Sequence, residues 1–545
     1  MENLKNTKRF IYILLLFCII SIYSIIISTT NAASFSFKRK SINVYDTFDL
    51  KSIINESNNI TSYSSSDNSI VSVNNNGIIT GNKMGQATIY ATDNTGNTIN
   101  CLVSVGFFTG IDISTFNNNV NWDKVKKEGI DFVMIRSSYG WYDQYDAAAG
   151  KEYNFQYDAQ LYNNIKGASD YGIPFGIYHY SYAQNTTQAA LEAEYTINAL
   201  RSTGNYANNI SLPVAYDVED SSWQGSLDKN TLTDIVITYC TKIKEAGYSP
   251  MIYANKNWFI NHLDIDRLNA LGYNFWYALW PNNPNFINQI KIGDTGIVPL
   301  IWQYTSDGYL DGANTNSGRL DMNIMYMKER VKIDFINDGI ALTSKIIDKG
   351  GNISNLPTVS KSGYYFKGWQ DQNGNIVSTS TLFSSNTTLT AIYEKIIPLE
   401  NISLNITSNY LLKGNTLNLQ VSYTPENTNV DKNIIWESSD NSIATVDNGN
   451  VLGISRGDVT ITAKSKYNEQ IIAKAKITIY EELQGDISND GTVDITDAYL
   501  LLRSIVNSND LELPAENLPN GDFNEDNIIN ITDAYYLLRF IVKNM

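Results

Sequence analysis

Residues 107–330 alternate short apolar runs with longer amphipathic stretches, and this alternation limits the possible folds more than any other feature. The runs read "FFTGIDIS", "FVMIRSS", "PFGIYHYS", "LPVAYDVED", "SPMIYAN", "FWYALW", "PLIWQYTS" and "RLDMNIM". The stretches 186–202 and 232–247, which lie between such runs, show helical spacing. Eight strands alternating with helices favour a parallel β/α barrel. The later connections are short, so we expect some helices to be missing and the barrel to be irregular.

Four acidic residues fall within or at the ends of the predicted strands. Asp112 ends the first strand, and Asp217 and Glu219 end the fourth. Asp321 lies in the eighth strand, next to the first in a closed barrel. Because the site of such a barrel lies at the carboxyl ends of its strands, the four carboxylates are expected to converge on one cleft. The alternative, in which Asp217 and Glu219 only cap the next helix, is weakened by the two other acids.

Carboxylates packed together raise one another's pKa, so at least one should stay protonated near neutral pH. A glycosidase needs such a proton donor beside anions that stabilise an oxocarbenium-like transition state. Aromatic side chains near these strands are predicted to bind the substrate; they are Tyr178, Tyr180, Trp280, Trp302 and Tyr304. His179 is assigned to the same site, although a lone histidine in a strand is more often a hydrogen-bonded core residue. With two distant histidines and no cysteine cluster, no metal or other cofactor is expected for catalysis.

The motifs of this block, taken in order, resemble glycoside hydrolase family 25, the bacterial and fungal N-acetylmuramidases. The similar segments are 108–140, 172–183, 212–220, 248–255 and 300–325. The resemblance implies cleavage of the β-1,4 bond from N-acetylmuramic acid to N-acetylglucosamine in peptidoglycan. It also implies that Glu219 is the proton donor and that Asp217 orients the reacting 2-acetamido group or a water. Asp112 and Asp321 would line the same subsite, and none of the four acids is substituted.

Two segments on either side of this block repeat each other. Residues 65–91 ("SSDNSIVSVNNNGIITGNKMGQATIYA") and 438–463 ("SSDNSIATVDNGNVLGISRGDVTITA") alternate apolar and polar residues between Gly and Asn turns, as short antiparallel strands do. Both resemble bacterial immunoglobulin-like modules of group 2, which we place at 36–106 and 399–481 and interpret as spacers or adhesive stalks. Residues 331–396, with "SGYYFKGWQDQNG", resemble the internalin-type B-repeat, a small β-grasp module.

Two twelve-residue loops near the C-terminus carry oxygen side chains at positions 1, 3, 5, 9 and 12, the spacing of an EF-hand-like Ca²⁺ loop. A nearly identical amphipathic helix follows each loop. This repetition disfavours the alternative that the loops are acidic turns that bind no metal. The first loop offers Asp486, Ser488, Asp490, the Thr492 carbonyl, Asp494 through water, and Asp497. The second offers Asp522, Asn524, Asp526, the Ile528 carbonyl, Asn530 through water, and Asp533. Asn527 stands where glycine is usual, and asparagine tolerates the left-handed conformation needed there.

This pair of loops and helices, at 483–545, resembles a type I dockerin. The resemblance implies structural Ca²⁺ and a cohesin domain on a scaffold protein as partner. The pairs Ile495/Thr496 and Ile531/Thr532 match the positions that set cohesin choice in that family.

The N-terminus indicates export. Residues 1–32 combine basic residues, an apolar run and a small-residue cleavage site, as a secretory signal does, although an uncleaved anchor stays possible on length alone. The net charge of −16 makes binding to nucleic acid phosphates implausible. The mature chain would keep Cys101 and Cys240, in different domains, so no disulfide framework is expected.

The sequence therefore predicts a secreted, extracellular or cell-surface peptidoglycan hydrolase held in a multi-enzyme complex, with no membrane contact after signal cleavage. Two alternatives stay open: a non-catalytic wall-binding or adhesion protein, and a glycosidase of another N-acetylated polysaccharide such as chitin. The strand-four motif lacks the longer D-x-x-D-x-D-x-E run of chitinases, which disfavours the second.

Overall fold

The computed structural model describes residues 33–55, 57–140, 156–481, 483–506 and 520–545. The predicted signal sequence at 1–32 lies outside the described residues. The chain divides into two compact units, which are described separately. The first contains the residues up to Ile336 with 340–355 and 378–389, and the second contains the others. Within the described residues, no helix has both the length and the apolar character that a membrane span requires.

Eight strands of the first unit close into a barrel. They are β1 (Phe107–Ile113), β2 (Phe132–Tyr139), β3 (Phe175–Tyr180), β4 (Val214–Asp217), β5 (Pro250–Asn255), β6 (Asn274–Ala278), β7 (Ile301–Gly308) and β8 (Leu320–Tyr326). Strands β1 to β7 are parallel, and β1 also pairs with β8, which closes the sheet. Strand β8 runs antiparallel to both neighbours, which corrects the expectation of an all-parallel barrel. A short strand, Gln156–Tyr157, pairs with the end of β2.

Helices follow the earlier strands only. They are α1 (Trp122–Glu128), α2 (Leu161–Asp170), α3 (Thr186–Arg201), α4 (Lys229–Glu245) and α5 (Ile265–Ala270). Side chains at Asn121, Asn185, Asp228 and Asp264 accept backbone N–H bonds at the start of four of these helices and so fix where they begin. The residues between β6 and β7 and between β7 and β8 are all described and contain no helix, which confirms the predicted irregularity.

The barrel has an inner and an outer apolar layer, because successive strand residues point to opposite faces. Inward residues, among them Phe132, Met134, Met251 and Trp276, fill the lumen. Outward residues pack beneath the helices, where the rings of Tyr216 and Tyr239 stack 3.8 Å apart. Cys240 lies in this outer layer, and both it and Cys101 are buried and free, as expected.

The first immunoglobulin-like module lies immediately before the barrel. Its largest sheet has the order Arg39–Ile42, Thr98–Val105, Gly85–Asp93 and Ile60–Ser65. A second sheet pairs Thr47–Asp49, Ile78–Gly81 and Val71–Val73, and Ser34–Phe35 pairs with Ile54–Asn55. Four 3₁₀ segments occur among the described residues of this unit: Leu50–Ile53 and Ser57–Asn59 in the module, Thr115–Asn117 after β1, and Gly204–Asn209 after the helix Thr186–Arg201.

This module is bound to the barrel by charged contacts. Glu128, at the end of α1, lies 2.8 Å from the Arg39 guanidinium and 2.6 Å from the Lys38 ammonium. Gly129 ends the same helix with φ of 78°, and a Cβ there would lie 2.3 Å from the Arg39 carbonyl oxygen. The module therefore approaches the backbone of the barrel itself, as a freely hinged spacer would not.

A second set of contacts joins the module to β1. The carboxylate of Asp131 accepts hydrogen bonds from Ser41 Oγ at 2.6 Å and from the Thr109 N–H at 2.8 Å. Only Gly106 separates the last strand of the module from β1. Met84 of the module packs against the apolar cluster that contains Phe107.

The second unit repeats the immunoglobulin-like arrangement. Its sheets contain Ser408–Leu412, Ile472–Tyr480, Gly457–Ser465 and Ile434–Ser438; Thr416–Asn418, Asn450–Gly453 and Ala444–Asp447; and Asn401–Leu404 with Val421–Thr424. The strand orders match those of the first module, which confirms the internal repeat.

The remaining segments are the β-grasp candidate and the dockerin candidate. Strands Arg330–Asn337 and Ile340–Asp348 lie mainly in the first unit, Tyr364–Gln370 and Ile376–Val377 lie in the second, and Thr387–Lys395 crosses the division. The internalin-type assignment of 331–396 stays a prediction. Helices α6 (Ile495–Val506) and α7 (Ile531–Asn544) pack together through Leu501, Leu537 and Ile541.

Candidate active site

A cleft of about 610 Å³ opens at the carboxyl ends of the barrel strands, and the four predicted acids line it. Asp112 lies in β1, Asp217 ends β4, and Glu219 follows two residues later. Asp321 lies near the start of β8 and pairs with Asp112 across the sheet. Because β8 is antiparallel, its N-terminal end lies where the other strands have their C-terminal ends, so all four acids meet.

Asp112 and Asp321 form a hydrogen-bonded carboxyl pair. Asp112 Oδ2 also accepts amide N–H bonds from Gln303 at 3.0 Å and Asn323 at 2.7 Å. Burial raises the pKa of Asp112 to about 6, and these bonds to its charged form limit the rise. Burial and the charge of Asp112 raise the pKa of Asp321 to about 9. The two carboxyl groups therefore share one proton at neutral pH.

Asp217 and Glu219 are the second carboxyl pair. Burial, followed by the charges of Asp112 and Asp220, raises the pKa of Glu219 to about 7. Burial and the charges of Glu219 and Asp112 hold the pKa of Asp217 well above its ordinary range. Asp217 Oδ1 is buried and has no hydrogen-bond partner among the described residues. Glu219 is thus poised to lose or gain a proton near neutral pH, as a general acid must.

Two of the predicted aromatic residues line the cleft and four other predicted substrate-binding residues do not. Tyr178 and Tyr180 face it, and the Tyr180 hydroxyl donates to Asp220 at 3.2 Å. Trp280 lies outside the lining, is 55% exposed, and donates to Gln303 Oε1 at 3.0 Å. Trp280 can therefore affect the cleft only through Gln303 or from beyond its rim.

His179, Trp302 and Tyr304 point to the opposite face of their strands, which corrects the prediction that they contact substrate. His179 is fully buried, and its Nδ1 lies 2.8 Å from Ser138 Oγ. Trp302 and Tyr304 pack in an apolar cluster outside the lumen. The period-two alternation of a strand accounts for all three, because each follows or precedes a residue that faces inward.

Several residues of the cleft were missed in the sequence. Gln303 accepts from the Tyr253 hydroxyl at 3.0 Å while it donates to Asp112, so it joins β5, β7 and β1. Arg136 lines the cleft, is held by Asp158 at 2.8 Å, and lies 5.0 Å from the ring centre of Phe116. Every second side chain of a strand points inward. Counting from Tyr178 in β3 and from Asp112 in β1 gives the inward positions of those two strands. The same alternation in β7 gives Gln303 as an inward residue.

Residues 111–313 match the family model of glycosyl hydrolases family 25. This barrel belongs to glycosyl hydrolases family 25. Residues 30–101 and 398–475 match the bacterial Ig-like domain (group 2), and 484–542 match the dockerin type I domain. The family 25 match covers the end of β1, all of β2 to β7 and three of the four acids, while Asp321 lies just beyond it.

The chain is also similar to individual proteins. It is 24% identical over 220 residues to Lysozyme M1 of Streptomyces globisporus, which covers 39% of this chain and 66% of the relative. It is 28% identical over 148 residues to a D-alanyl-L-alanine endopeptidase of Streptococcus phage B30, covering 26% and 31%. It is 39% identical over 84 residues to a 3-O-alpha-D-galactosyl-alpha-L-arabinofuranosidase of Bifidobacterium longum subsp. longum, covering 14% and 7%. The chain spans less than two thirds of each of these relatives.

Two solved structures resemble parts of the chain. The modular autolysin LytC from Streptococcus pneumoniae, in complex with a synthetic peptidoglycan ligand, shares 24% identity with a TM-score of 0.31, covering 47% of this chain and 61% of its own. The Clostridium perfringens spore cortex lytic enzyme SleM shares 16% identity with a TM-score of 0.32, covering 68% and 98%. The fold of the family 25 domain follows from its strand order and its family model.

The oxygen side chains of the dockerin loops fit a hard cation such as Ca²⁺. Carboxylate oxygens of Asp522, Asp526 and Asp533 lie within 4.8 Å of one another. Asp497 and Asp533, at the last loop positions, also accept backbone N–H bonds at 2.7–3.0 Å that fold each loop around them. Asn527 adopts φ of 65°, which confirms the left-handed conformation predicted for it.

The first of these loops also contacts the immunoglobulin-like module that precedes it. The Arg456 guanidinium lies 3.7 Å from the Asp486 carboxylate and donates to the Asn489 carbonyl at 3.3 Å. Its charge lowers the pKa of Asp490, after the larger effect of hydrogen bonds from Thr492. A positive charge therefore lies beside the first loop, and it opposes the charge of a bound cation.

Proposed function

We propose that the chain is a secreted peptidoglycan hydrolase that cleaves the β-1,4 bond from N-acetylmuramic acid to N-acetylglucosamine. The observation that carries the proposal is Glu219, a carboxyl group with a pKa of about 7 beside three more acids in an open cleft. The match of the barrel to the family model of glycosyl hydrolases family 25 and the resemblance of the chain to Lysozyme M1 support the same reaction.

In the proposed reaction Glu219 donates its proton to the glycosidic oxygen as the bond breaks. Asp217 orients the 2-acetamido group or a water toward the anomeric carbon, and its unpartnered Oδ1 is free to accept the N–H or O–H of that group. Asp112 brings negative charge close to the sugar that becomes oxocarbenium-like. The amide groups of Gln303 and Asn323 hold this carboxylate in place without neutralising it.

The proposal is tested by lysis of purified cell walls and by mass spectrometry of the fragments released from defined peptidoglycan. Glu219→Gln should fold and bind glycan but lose about 10²–10⁴-fold in turnover, and Asp217→Asn should be severely impaired. The control is Glu194→Gln, an exposed glutamate of α3. Fragments that end in reducing N-acetylmuramic acid support the proposal.

Other outcomes favour the two alternatives. Glycan binding without cleavage by the wild-type chain would indicate a wall-binding or adhesion protein. Cleavage of chitin oligosaccharides in preference to peptidoglycan would indicate a glycosidase of another N-acetylated polymer. Near-wild-type lysis by Glu219→Gln would remove that residue from the proposed role.

We also propose that the dockerin binds structural Ca²⁺ and docks to a cohesin domain of a scaffold protein. Each loop would hold one Ca²⁺ ion through the residues predicted above. Helices α6 and α7 expose apolar side chains that a cohesin could cover, such as Ile495, Tyr499, Ile531 and Tyr535. Capture by immobilised cohesins with Ca²⁺, and its loss with a chelator, tests this part. Detection of the mature chain outside the cell, with cleavage after residue 32, tests secretion.

A further inference from the structure

A fully buried polar network lies on the outer face of β3 and β4, behind the cleft. Its centre is the carboxylate of Glu192 in α3, which has no exposed surface. This carboxylate accepts hydrogen bonds from the Tyr216 hydroxyl at 2.5 Å, from Ser181 Oγ at 2.8 Å and from the Tyr182 N–H at 2.9 Å. His179 Nε2 lies 3.6 Å from the same group. A buried carboxylate is costly unless it is fully bonded, so the network holds these groups in one arrangement.

The same network holds the backbone that carries the candidate catalytic acids. Tyr216 immediately precedes Asp217, and the Ser181 N–H donates to the Asp217 carbonyl at 3.0 Å. Gln224 donates to Ser181 Oγ at 2.9 Å, and its own N–H donates to the Asp220 carbonyl at 2.9 Å. The segment from Tyr216 to Asp220 is therefore attached to the Glu192 network at both ends.

The side chain of Asp217 has little else to orient it. Its Oδ1 has no hydrogen-bond partner among the described residues, so the direction of the carboxylate follows from the backbone of β4. Alternation along the strand makes Tyr216 point outward where Asp217 points inward. Fixing the outward hydroxyl consequently fixes the rotation of the strand end and the depth to which Asp217 enters the cleft.

We propose that Glu192 is a positioning residue for the reaction, which acts through Tyr216 and Ser181 to set the geometry of Asp217 and Glu219. The expected loss of turnover when the network is broken rests on the proposed function. The structural consequence, a more mobile β4 end when the network is broken, does not depend on which substrate is cleaved.

The chain offers a matched pair of substitutions for the test. Tyr216→Phe removes one hydroxyl that bonds to Glu192. Tyr239→Phe removes the hydroxyl of the ring stacked on Tyr216, equally buried, which bonds to Thr196 at 3.0 Å instead. Glu192→Gln removes the charge and keeps the size of the side chain.

For Tyr216→Phe and Glu192→Gln we expect kcat on a soluble peptidoglycan oligosaccharide to fall about 10-fold or more, with KM within about twofold, because small displacements of reacting groups are costly. Tyr239→Phe should retain kcat within about twofold. Amide hydrogen exchange at Ser181 and Val218 should quicken about 10-fold in the first two variants and not in the control.

Each result decides the question. Equal kcat in Tyr216→Phe and Tyr239→Phe overturns the proposal, whatever the exchange rates, because a merely structural role would leave turnover unchanged once the protein is folded. If the wild-type chain cleaves no glycan, the proposed function fails. In that case the positioning role is still tested separately: unchanged amide exchange at Ser181 and Val218 in Tyr216→Phe and Glu192→Gln overturns it. If Glu192→Gln does not fold, the comparison of Tyr216→Phe with Tyr239→Phe is sufficient by itself.

Discussion

Replacing Glu219 by glutamine should stabilise the barrel at neutral pH while it removes activity. The folded state raises the pKa of this carboxyl from 4.5 to about 7, chiefly through burial. The folded chain therefore keeps the proton at pH values where the unfolded chain has released it. The stability that this carboxyl contributes is fully present below about pH 4.5 and is lost as the pH rises through about 7.

The expected gain follows from the size of this rise. At 1.36 kcal/mol per pH unit, a rise from 4.5 to about 7 corresponds to about 3 kcal/mol, and partial exposure of the side chain reduces this to about 2–3 kcal/mol. Glutamine fills the same space and never ionises. For a domain of this size, the melting temperature of the barrel should rise by about 4–12 °C at pH 7.5.

Differential scanning calorimetry of the full chain at pH 4 and at pH 7.5 measures the effect, with Glu194→Gln as the exposed control. The gain should be present at pH 7.5 and absent at pH 4. A gain of equal size at both pH values, or none at pH 7.5, would refute the argument that burial of an ionised Glu219 costs stability.

Three further predictions follow from the site and the tail. Turnover should fall as the pH rises through about 7, because Glu219 must be protonated. Asp112→Asn removes a charge that raises the pKa of Glu219, so this fall in the pH–kcat profile should move to lower pH. An unchanged profile would show that Asp112 and Glu219 do not interact. Asp497→Ala with Asp533→Ala should abolish Ca²⁺-induced helicity and cohesin capture while wall lysis persists, as circular dichroism, pull-down and turbidity would show. Arg456→Gln should tighten Ca²⁺ binding several-fold in titration calorimetry of the full chain, because a positive charge no longer lies beside the first loop; unchanged affinities would contradict this.

The sequence predicted the barrel and its four acids because both depend on local patterns. Apolar runs mark strands, and Asp112, Asp217 and Glu219 lie at strand ends whatever the tertiary contacts. The antiparallel direction of β8 could not be predicted in this way, because strand direction depends on the path of the connection and not on side-chain alternation. Asp321 lies at the start of β8, so it reaches the cleft only because β8 runs antiparallel to β1; in a parallel β8 it would lie at the opposite edge of the barrel.

Errors in the predicted site came from treating aromatic residues near the acids as one group. In β7 the tryptophan at 302 and the tyrosine at 304 occupy the outward register, and the inward position between them belongs to Gln303. The network of Glu192 was missed for a different reason. It joins α3 to two strands through contacts distant in sequence, and nothing in the local pattern separates a buried glutamate of a helix from an exposed one.

The close contact between the first immunoglobulin-like module and the barrel has a consequence for the order of folding. Strand β1 must pair with β8, which is more than 200 residues later in the chain, and closing so long a loop is slow. During synthesis the module is complete first, and it holds β1 through Gly106, Ser41 and Asp131 before the rest of the barrel exists. We expect the folded module to hold the start of β1 in place until β2 and β8 are available to pair with it. A catalytic fragment begun at residue 107 would lack this anchor and would fold more slowly than one begun at residue 33.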